Sequence, residues 1–269
     1  MKISVGFSPC PNDTFIFYAL LNHKFNTGDL EFEPVIEDVE ELNRRALRGE
    51  IAVTKLSFAL FSQVESTYQL LNSGSALGNN CGPLLISKRA ISEHEIAQCT
   101  VAIPGIHTTA NFLFSFFYPV VKQKREMLFS KIENALLNEE TDLGVIIHEN
   151  RFTYQKKGLK KVADLGELWE RKTNLPIPLG GIFAKKNLGE ETIATIDHLI
   201  HESILYAFAN PLEAIEYVKQ YSQEMEEEVM WQHIRLYVND FTVSLGDKGH
   251  AAVEKFLELA ELKDIPRAT

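Results

Sequence analysis

The sequence feature that most constrains the fold is a short apolar run that stops abruptly at polar side chains. Residues 143–147 read LGVII, and His148, a carboxylate, an amide and a guanidinium follow directly. The run is too short for a typical helix and is rich in β-branched residues, so it predicts a strand buried on both faces. Ligands of open α/β sheets bind beyond the carboxyl ends of parallel strands. The run therefore predicts that His148 lies beside a ligand.

The amino-terminal part of the chain alternates between strand and helix patterns. These patterns fall, in order, at residues 3–7, 14–22, 30–36, 39–48, 51–53 and 58–64. This order implies a parallel sheet with right-handed crossovers. We expect Asn12 or Asp13 to cap the first helix, and we expect residues 54–57 to form the polar exit of the third strand.

A second α/β unit is predicted to be inserted into the first. A strand at residues 84–87 leads out of the first unit, and further strand patterns fall at residues 100–103, 127–129, 143–147 and 161–164. The predicted fold is therefore an α/β protein of two lobes with an interlobe cleft. Lobe 1 comprises residues 1–90 and 185–269, including helices at the carboxyl end, and lobe 2 comprises residues 91–184. Crossings near residues 87–94 and 183–186 are expected to act as the hinge.

The composition argues against several classes of protein. The net charge of −10 disfavours nucleic acid, which is held mainly by Lys and Arg on phosphates. The three cysteines, Cys10, Cys81 and Cys99, are widely spaced and form no CxxC pair, so neither a disulfide framework nor a structural zinc site is expected. The sequence contains no secretory signal pattern and no apolar segment of about 20 residues, so we expect a cytoplasmic protein without membrane contact.

The usual motifs of cofactor-dependent and hydrolytic enzymes are absent from the sequence. It contains no GxSxG, HExxH, GxGxxG or GxxxxGK[ST] segment in the required context. Metal, nucleotide-cofactor and serine-hydrolase chemistry therefore have no specific support. A base-assisted reaction without a cofactor, or binding without reaction, remains.

Polar segments lie at the ends of several predicted strands and are expected to face one cleft. They are residues 11–14, 54–57, 105–109 and 148–151. Thr108 and Thr109 precede a helix and suit either an anion site or a plain N-cap. Lys55 and Ser57 suit either a ligand contact or a solvated lysine and a second N-cap. For Asp13 the first expectation is a helix cap. A ligand contact is expected only if the predicted cleft is correct.

His148 is the strongest candidate for chemistry. An imidazole has an unperturbed pKa of about 6.5, so near neutrality much of it is free base, suited to taking a proton from carbon or oxygen. The alternative is a satisfied histidine at a strand end. Glu149 either orients the ring or pairs with Arg151. His107 is a weaker second candidate, and the remaining histidines are interpreted mostly as surface residues on helix faces.

The same residues resemble a known enzyme family. Residues 6–20, GFSPCPNDTFIFYAL, resemble the opening of the 1,4-dihydroxy-6-naphthoate synthases of the futalosine route to menaquinone. Further matching segments follow in the same order: EDVE at 37–40 with Leu42 and Asn43, TKLS at 54–57, GIHTTA at 105–110, IIHENRFTY at 146–154, PIPLG at 176–180 and YVN at 237–239. The resemblance covers nearly the whole chain, and the joint match is far more specific than any one segment.

This resemblance implies a type II periplasmic-binding-protein-like fold in a cytoplasmic enzyme. It implies a carbon–carbon lyase that converts cyclic dehypoxanthine futalosine to 1,4-dihydroxy-6-naphthoate and a dehypoxanthinylated sugar fragment, without a metal or organic cofactor. It also implies that His148 is the proton acceptor. The residues expected to bind the carboxylated substrate are Asp13, Asn43, Lys55, Leu56, Ser57, Thr109 and Ala110.

Two rival functions share the predicted fold. The first is a solute-binding protein without activity, since fold does not fix function and this fold is used mostly for binding. His148 would be idle in such a protein. The second is a chorismate dehydratase of the same pathway and fold, but the segments around Asp13 and His148 resemble the naphthoate synthases instead.

Overall fold

The computed structural model describes residues 1–222 and 226–262, and its strands form two sheets. The strands are β1 Lys2–Phe7, β2 Glu31–Ile36, β3 Val53–Ser57, β4 Tyr68–Leu70, β5 Ala76–Gly78, β6 Leu84–Ser87, β7 Val101–Ile103, β8 Lys124–Glu126, β9 Leu143–Ile146, β10 Lys160–Asp164 and β11 Ile177–Lys185. The first sheet has the order β2-β1-β3-β11-β4, with β5 also pairing with β11, and the second has the order β10-β6-β9-β7-β8.

The helices cover the sheets and make up the carboxyl-terminal part of the chain. They are α1 Pro11–Leu21, α2 Val39–Leu47, α3 Phe61–Val64, α4 Glu93–Ile96, α5 Thr109–Phe117, α6 Ile132–Leu137, α7 Asn150–Thr153, α8 Leu165–Thr173, α9 Glu190–Ala209, α10 Pro211–Tyr221, α11 Glu227–Tyr237, α12 Asp240–Val243 and α13 Gly246–Leu262. Within the described ranges, no helix is both long and apolar enough to cross a membrane.

The order of the strands confirms the predicted insertion of one lobe into the other. All the strands from β6 to β10 belong to the second sheet, whereas β1–β5 and β11 belong to the first. Both sheets are mixed rather than parallel. β1 runs parallel to β2 and β3, and β7 runs parallel to β8 and β9, but β11 and β6 are antiparallel to their neighbours.

The crossings between the sheets lie earlier than predicted. The chain leaves the first sheet between Gly78 and Leu84 and returns to it between Asp164 and Ile177. The predicted boundaries, after residue 90 and before residue 185, and the predicted hinges near residues 87–94 and 183–186 therefore put β6 and most of β11 with the wrong sheet. An apolar run predicts a strand but does not say which sheet the strand joins.

Several elements begin or end away from their predicted positions. Helix α1 starts at Pro11 instead of residue 14, because proline suits the first helical position, where its missing N–H is not needed. Residues 54–57 continue β3 instead of leaving it, because β11 pairs with them from Gly180 opposite Ser57 onward. The strand predicted at residues 127–129 is β8, three residues earlier.

The last described helix holds the two lobes together. Phe256 of α13 packs against Phe112, with ring centroids 4.7 Å apart, and against Trp169 at 5.3 Å. Phe112 and Trp169 belong to α5 and α8 beside the second sheet, while α13 also contacts β11 of the first. Phe256 and Trp169 have no exposed surface. Burial of this aromatic cluster favours the arrangement in which the lobes lie close together.

Candidate active site between the two sheets

A cavity lies between the sheets and collects the polar segments that the sequence singled out. Its walls come from β3 and β11 of the first sheet, from the end of β9 in the second, and from α1, α5 and α11. The empty space in and around it, including space open to solvent, is about 650 Å³. The predicted site residues that line it are Asp13, Lys55, Leu56, Ser57, Thr109, Ala110 and His148.

An ion pair forms one wall of this cavity. Lys55 Nζ lies 3.2 Å from Asp13 Oδ1 and donates to the carbonyl oxygen of Gly74 at 2.9 Å. Asp13 Oδ2 accepts hydrogen bonds from the backbone N–H and the hydroxyl of Ser8, at 3.2 and 2.7 Å. Asp13 also lies in the first turn of α1, where the helix dipole favours a carboxylate. We call Ser8, Asp13 and Lys55 the ion-pair wall.

Ser57 is positioned by Asn43, which lies behind the cavity. Asn43 Nδ2 donates to Ser57 Oγ at 3.0 Å, and Asn43 Oδ1 accepts from the backbone N–H of Ser57 at 3.0 Å. Asn43 itself has no exposed surface and is not among the residues that line the cavity. Since Ser57 Oγ accepts the amide hydrogen, its own hydroxyl hydrogen is left to donate. Of the predicted binding residues, Asn43 is thus placed to act through Ser57.

The amino terminus of α5 faces the cavity, but the hydroxyls of its threonines are already engaged. Thr108 caps the helix by accepting from Asn111 N–H at 3.1 Å, and its hydroxyl donates to Gly105 O at 2.8 Å. Thr109 Oγ1 donates to Leu179 O at 2.6 Å. The N-cap alternative is therefore correct for Thr108. The first N–H groups of a helix have no partner within it, so the backbone rather than these hydroxyls is suited to an anion.

His148 follows β9 in the left-handed backbone region, with φ of 57°. That conformation costs a non-glycine residue about 1–3 kcal/mol, and such strain is concentrated at functional sites. The Nε2 atom is buried and has no hydrogen-bond partner among the described residues. The ring packs edge-on against Phe129, with centroids 4.8 Å apart.

The surroundings of His148 keep its imidazole neutral. Burial lowers its pKa to about 4, and the charge of Lys55 acts in the same direction, while Asp13 opposes it. A neutral imidazole with an unpartnered nitrogen retains a lone pair for proton transfer at neutral pH. The alternative of a histidine whose hydrogen bonds are satisfied at a strand end does not fit this nitrogen.

A second imidazole in the cavity was not predicted. His233 of α11 was interpreted as a surface residue, but it is only 1% exposed and lines the cavity. Its Nε2 lies 2.9 Å from Asn12 Oδ1, and its ring stacks with that of His148 at 6.2 Å. The helical spacing of Met230, His233, Ile234 and Tyr237, all buried, is the signal that would have placed it on the inner face.

Other candidates of the sequence analysis have different partners. Arg151 pairs with Asp164. His107 does not line this cavity, and its Nδ1 lies 2.7 Å from Glu40. All three cysteines are buried and free. Cys81 lines the cavity, but burial raises the pKa of its thiol to about 12, so it stays protonated.

Comparisons with known proteins agree over nearly the full length of the chain. The model of a family described as menaquinone biosynthesis matches residues 3–262. A protein of Thermus thermophilus named 1,4-dihydroxy-6-naphthoate synthase is 44% identical over 267 residues, covering 98% of this chain and 95% of that protein. A protein of the same name from Streptomyces coelicolor is 39% identical over 263 residues, covering 96% and 92%.

Solved structures confirm the predicted fold class. A protein of Archaeoglobus fulgidus superposes with a TM-score of 0.92 at 38% identity and covers 97% of both chains. The periplasmic aliphatic sulphonate-binding protein of Escherichia coli superposes with a TM-score of 0.65 at 12% identity, covering 99% of this chain and 94% of that one. The fold is therefore periplasmic-binding-protein-like, and the chain belongs to the menaquinone biosynthesis family.

Proposed function

We propose that this protein is a 1,4-dihydroxy-6-naphthoate synthase, a carbon–carbon lyase acting on cyclic dehypoxanthine futalosine. The names of the two similar proteins support the product, and the cavity between the sheets offers a place for the substrate. The single observation that carries the chemistry is the buried, unpartnered Nε2 of His148. The left-handed backbone at His148 adds strain of the kind that is concentrated at functional sites.

In the proposed reaction, His148 Nε2 takes a proton from the substrate. The electron pair left behind enters the ring system, which becomes aromatic, while the carbon–carbon bond to the sugar-derived ring breaks. The departing carbon keeps the electron pair of that bond and receives the proton back from the imidazolium, so no water or oxidant is needed. General-base catalysis of this kind contributes about 10²–10⁴-fold. The free energy that drives the reaction comes from the formation of the aromatic product.

We further propose that the substrate carboxylate binds at the start of α5. The backbone N–H groups of the first turn and the free hydroxyl hydrogen of Ser57 are suited to it. Lys55 is the weaker of the two carboxylate-binding candidates, because its ammonium group is already bound by Asp13 and Gly74. Its role is then to hold Asp13.

Incubation of the purified protein with cyclic dehypoxanthine futalosine and, separately, with chorismate tests the proposed function. We expect naphthoate absorbance with the first substrate only. Consumption of chorismate would identify the dehydratase of the same pathway. Tight binding without any product would identify a solute-binding protein, and either result would overturn the proposal.

A further inference from the structure

The second imidazole of the cavity has a geometry that points to a separate role. We propose that His233 is a substrate-binding residue whose Nδ1 accepts a hydrogen bond from a hydroxyl group of the substrate. The inference rests on the proposed function for the identity of that substrate. In this proposal His233, which lies outside the short sequence segments that resemble the family, recognises a hydroxyl group on the sugar-derived ring.

A chain of hydrogen bonds fixes which nitrogen of His233 carries hydrogen. The carboxylate of Asp13 can only accept, and Asn12 Nδ2 donates to Asp13 Oδ1 at 2.8 Å. The amide of Asn12 therefore turns its oxygen towards His233. Since that oxygen can only accept, His233 Nε2 donates its hydrogen to Asn12 Oδ1 at 2.9 Å. Lys55, which pairs with Asp13, anchors the far end of this chain.

The other nitrogen of His233 is consequently a hydrogen-bond acceptor without a partner. A neutral imidazole that carries hydrogen on Nε2 has a bare lone pair on Nδ1. This Nδ1 atom is buried and makes no hydrogen bond to any residue in the described part of the chain. Buried polar atoms in folded proteins are nearly always paired, and the side chain lines the cavity. A ligand group is therefore the partner that this nitrogen lacks.

The chemistry of an acceptor restricts what that ligand group is. A lone pair attracts a hydroxyl and repels a carboxylate, so the naphthoate carboxylate does not bind here. Protonation of His233 is disfavoured because the ring is only 1% exposed and stacks with His148. The two imidazoles therefore have different proposed roles. His148 takes a proton, and His233 holds a hydroxyl group in place while the carbon–carbon bond breaks.

Steady-state kinetics of the full chain with cyclic dehypoxanthine futalosine, and with an analogue lacking one hydroxyl of the sugar-derived ring, test this inference. His233→Phe removes both nitrogens and should raise KM by about 10- to 100-fold, with a smaller change in kcat. It should also lose the preference of the wild type for the hydroxylated substrate. His233→Asn, which places an acceptor oxygen near the former Nδ1, should recover part of the loss.

The control variant is His201→Phe, because His201 Nδ1 lies 3.1 Å from Val243 O and the residue does not line the cavity. Its KM should equal that of the wild type. ¹⁵N NMR of histidine-labelled wild type should show His233 with hydrogen on Nε2 only, and its Nδ1 resonance should shift when the substrate binds to the His148→Asn variant. This measurement decides the matter even if His233→Phe does not fold.

The possible failures are distinguishable. If the wild type produces no naphthoate at all, the proposed function fails. If the wild type is active but His233→Phe keeps its KM and its preference for the hydroxylated substrate, the inference about His233 is wrong. Hydrogen on Nδ1 in the NMR spectrum would overturn it as well.

Discussion

The ion-pair wall and the two imidazoles of the cavity satisfy their polar groups in opposite ways. In the ion-pair wall, Asp13 and Lys55 are bound to each other and to neighbouring protein groups. His148 and His233, which we call the imidazole pair, each keep one nitrogen unpartnered among the described residues. Asp13, Lys55, His233 and the Nε2 atom of His148 are buried, and all of these residues line one cavity.

The ion-pair wall therefore has a structural role, whereas the imidazole pair has nitrogens that are available to a ligand. A buried charge without a partner is strongly destabilising, so the ion-pair wall has to be complete before any ligand arrives. An unpartnered imidazole nitrogen costs less, about 1–3 kcal/mol, and a stable fold tolerates that cost where function requires it. The two sets are joined by Asn12, which bonds to Asp13 and to His233. Through Asn12, the ion-pair wall thus orients His233, which keeps one nitrogen unpartnered among the described residues.

The largest expected effect comes from removing the proposed base. His148→Asn should lower kcat by at least about 10²- to 10⁴-fold, because general-base assistance is lost. Substrate should still bind, since the ion-pair wall and the start of α5 are unchanged. Single-turnover measurement of naphthoate release, together with calorimetric titration of substrate, checks both statements. Near-normal release would show that His148 is not the base.

A variant of the ion-pair wall should instead lose stability. Asp13→Asn leaves Lys55 buried without its countercharge, which should cost about 3–5 kcal/mol of unfolding free energy. The side chains of Lys55 and Asp13 are only 6% and 4% exposed. Adding Lys55→Met should recover part of the loss. Urea unfolding measures these changes in unfolding free energy. The control is Lys255→Met in the exposed ion pair with Glu258, which should cost less than about 1 kcal/mol.

Local sequence patterns were sufficient to predict that several polar segments in or just after strands meet in one cavity. The apolar run before His148 forms β9, buried along its length, and the segments around Asp13, Lys55 and Thr109 do meet it in one cavity. These predictions succeed because the parallel pairs β1–β3 and β7–β9 each bring their carboxyl ends to one edge of their own sheet, and the two edges face the same cavity. The apolar pattern of a single strand is enough to show where that strand ends.

The parts that escaped prediction depend on contacts between distant segments. The continuation of β3 through Ser57 requires pairing with β11, more than a hundred residues later. The spacing of Met230, His233, Ile234 and Tyr237 marks the buried face of α11, but the packing of α11 against α1 decides that this face meets Asn12 at the cavity. The resemblance to the naphthoate synthases predicted a set of site residues, but the hydrogen-bond chain from Lys55 to His233 is visible only in three dimensions.

The imidazole pair should also make stability depend on pH. The pKa of His148 is lowered to about 4 in the folded protein, against about 6.5 when unfolded, so between these values the unfolded chain binds more protons. Stability is therefore complete above about pH 6.5 and falls as the pH decreases towards 4. At pH 5 the loss from this residue is about 2 kcal/mol.

Urea unfolding of the wild type and of His148→Asn at a series of pH values isolates this contribution, because the carboxylates are common to both. The free energy of unfolding of the wild type should fall more steeply from pH 7 to pH 5 than that of the variant. Parallel curves would show that His148 is well solvated, which would remove the contrast with the ion-pair wall.

The smallest effect is expected at Ser57, which combines features of both sets. Its oxygen accepts from Asn43, while its hydroxyl hydrogen has no acceptor among the residues that the structure describes. Ser57→Ala should raise KM about fivefold, equivalent to about 1 kcal/mol, with little change in kcat. Thr109→Ser is the matched control, because it keeps the hydroxyl that donates to Leu179 O. An unchanged KM in Ser57→Ala would leave the backbone of α5 as the carboxylate site and place Ser57 with the groups that only build the cavity.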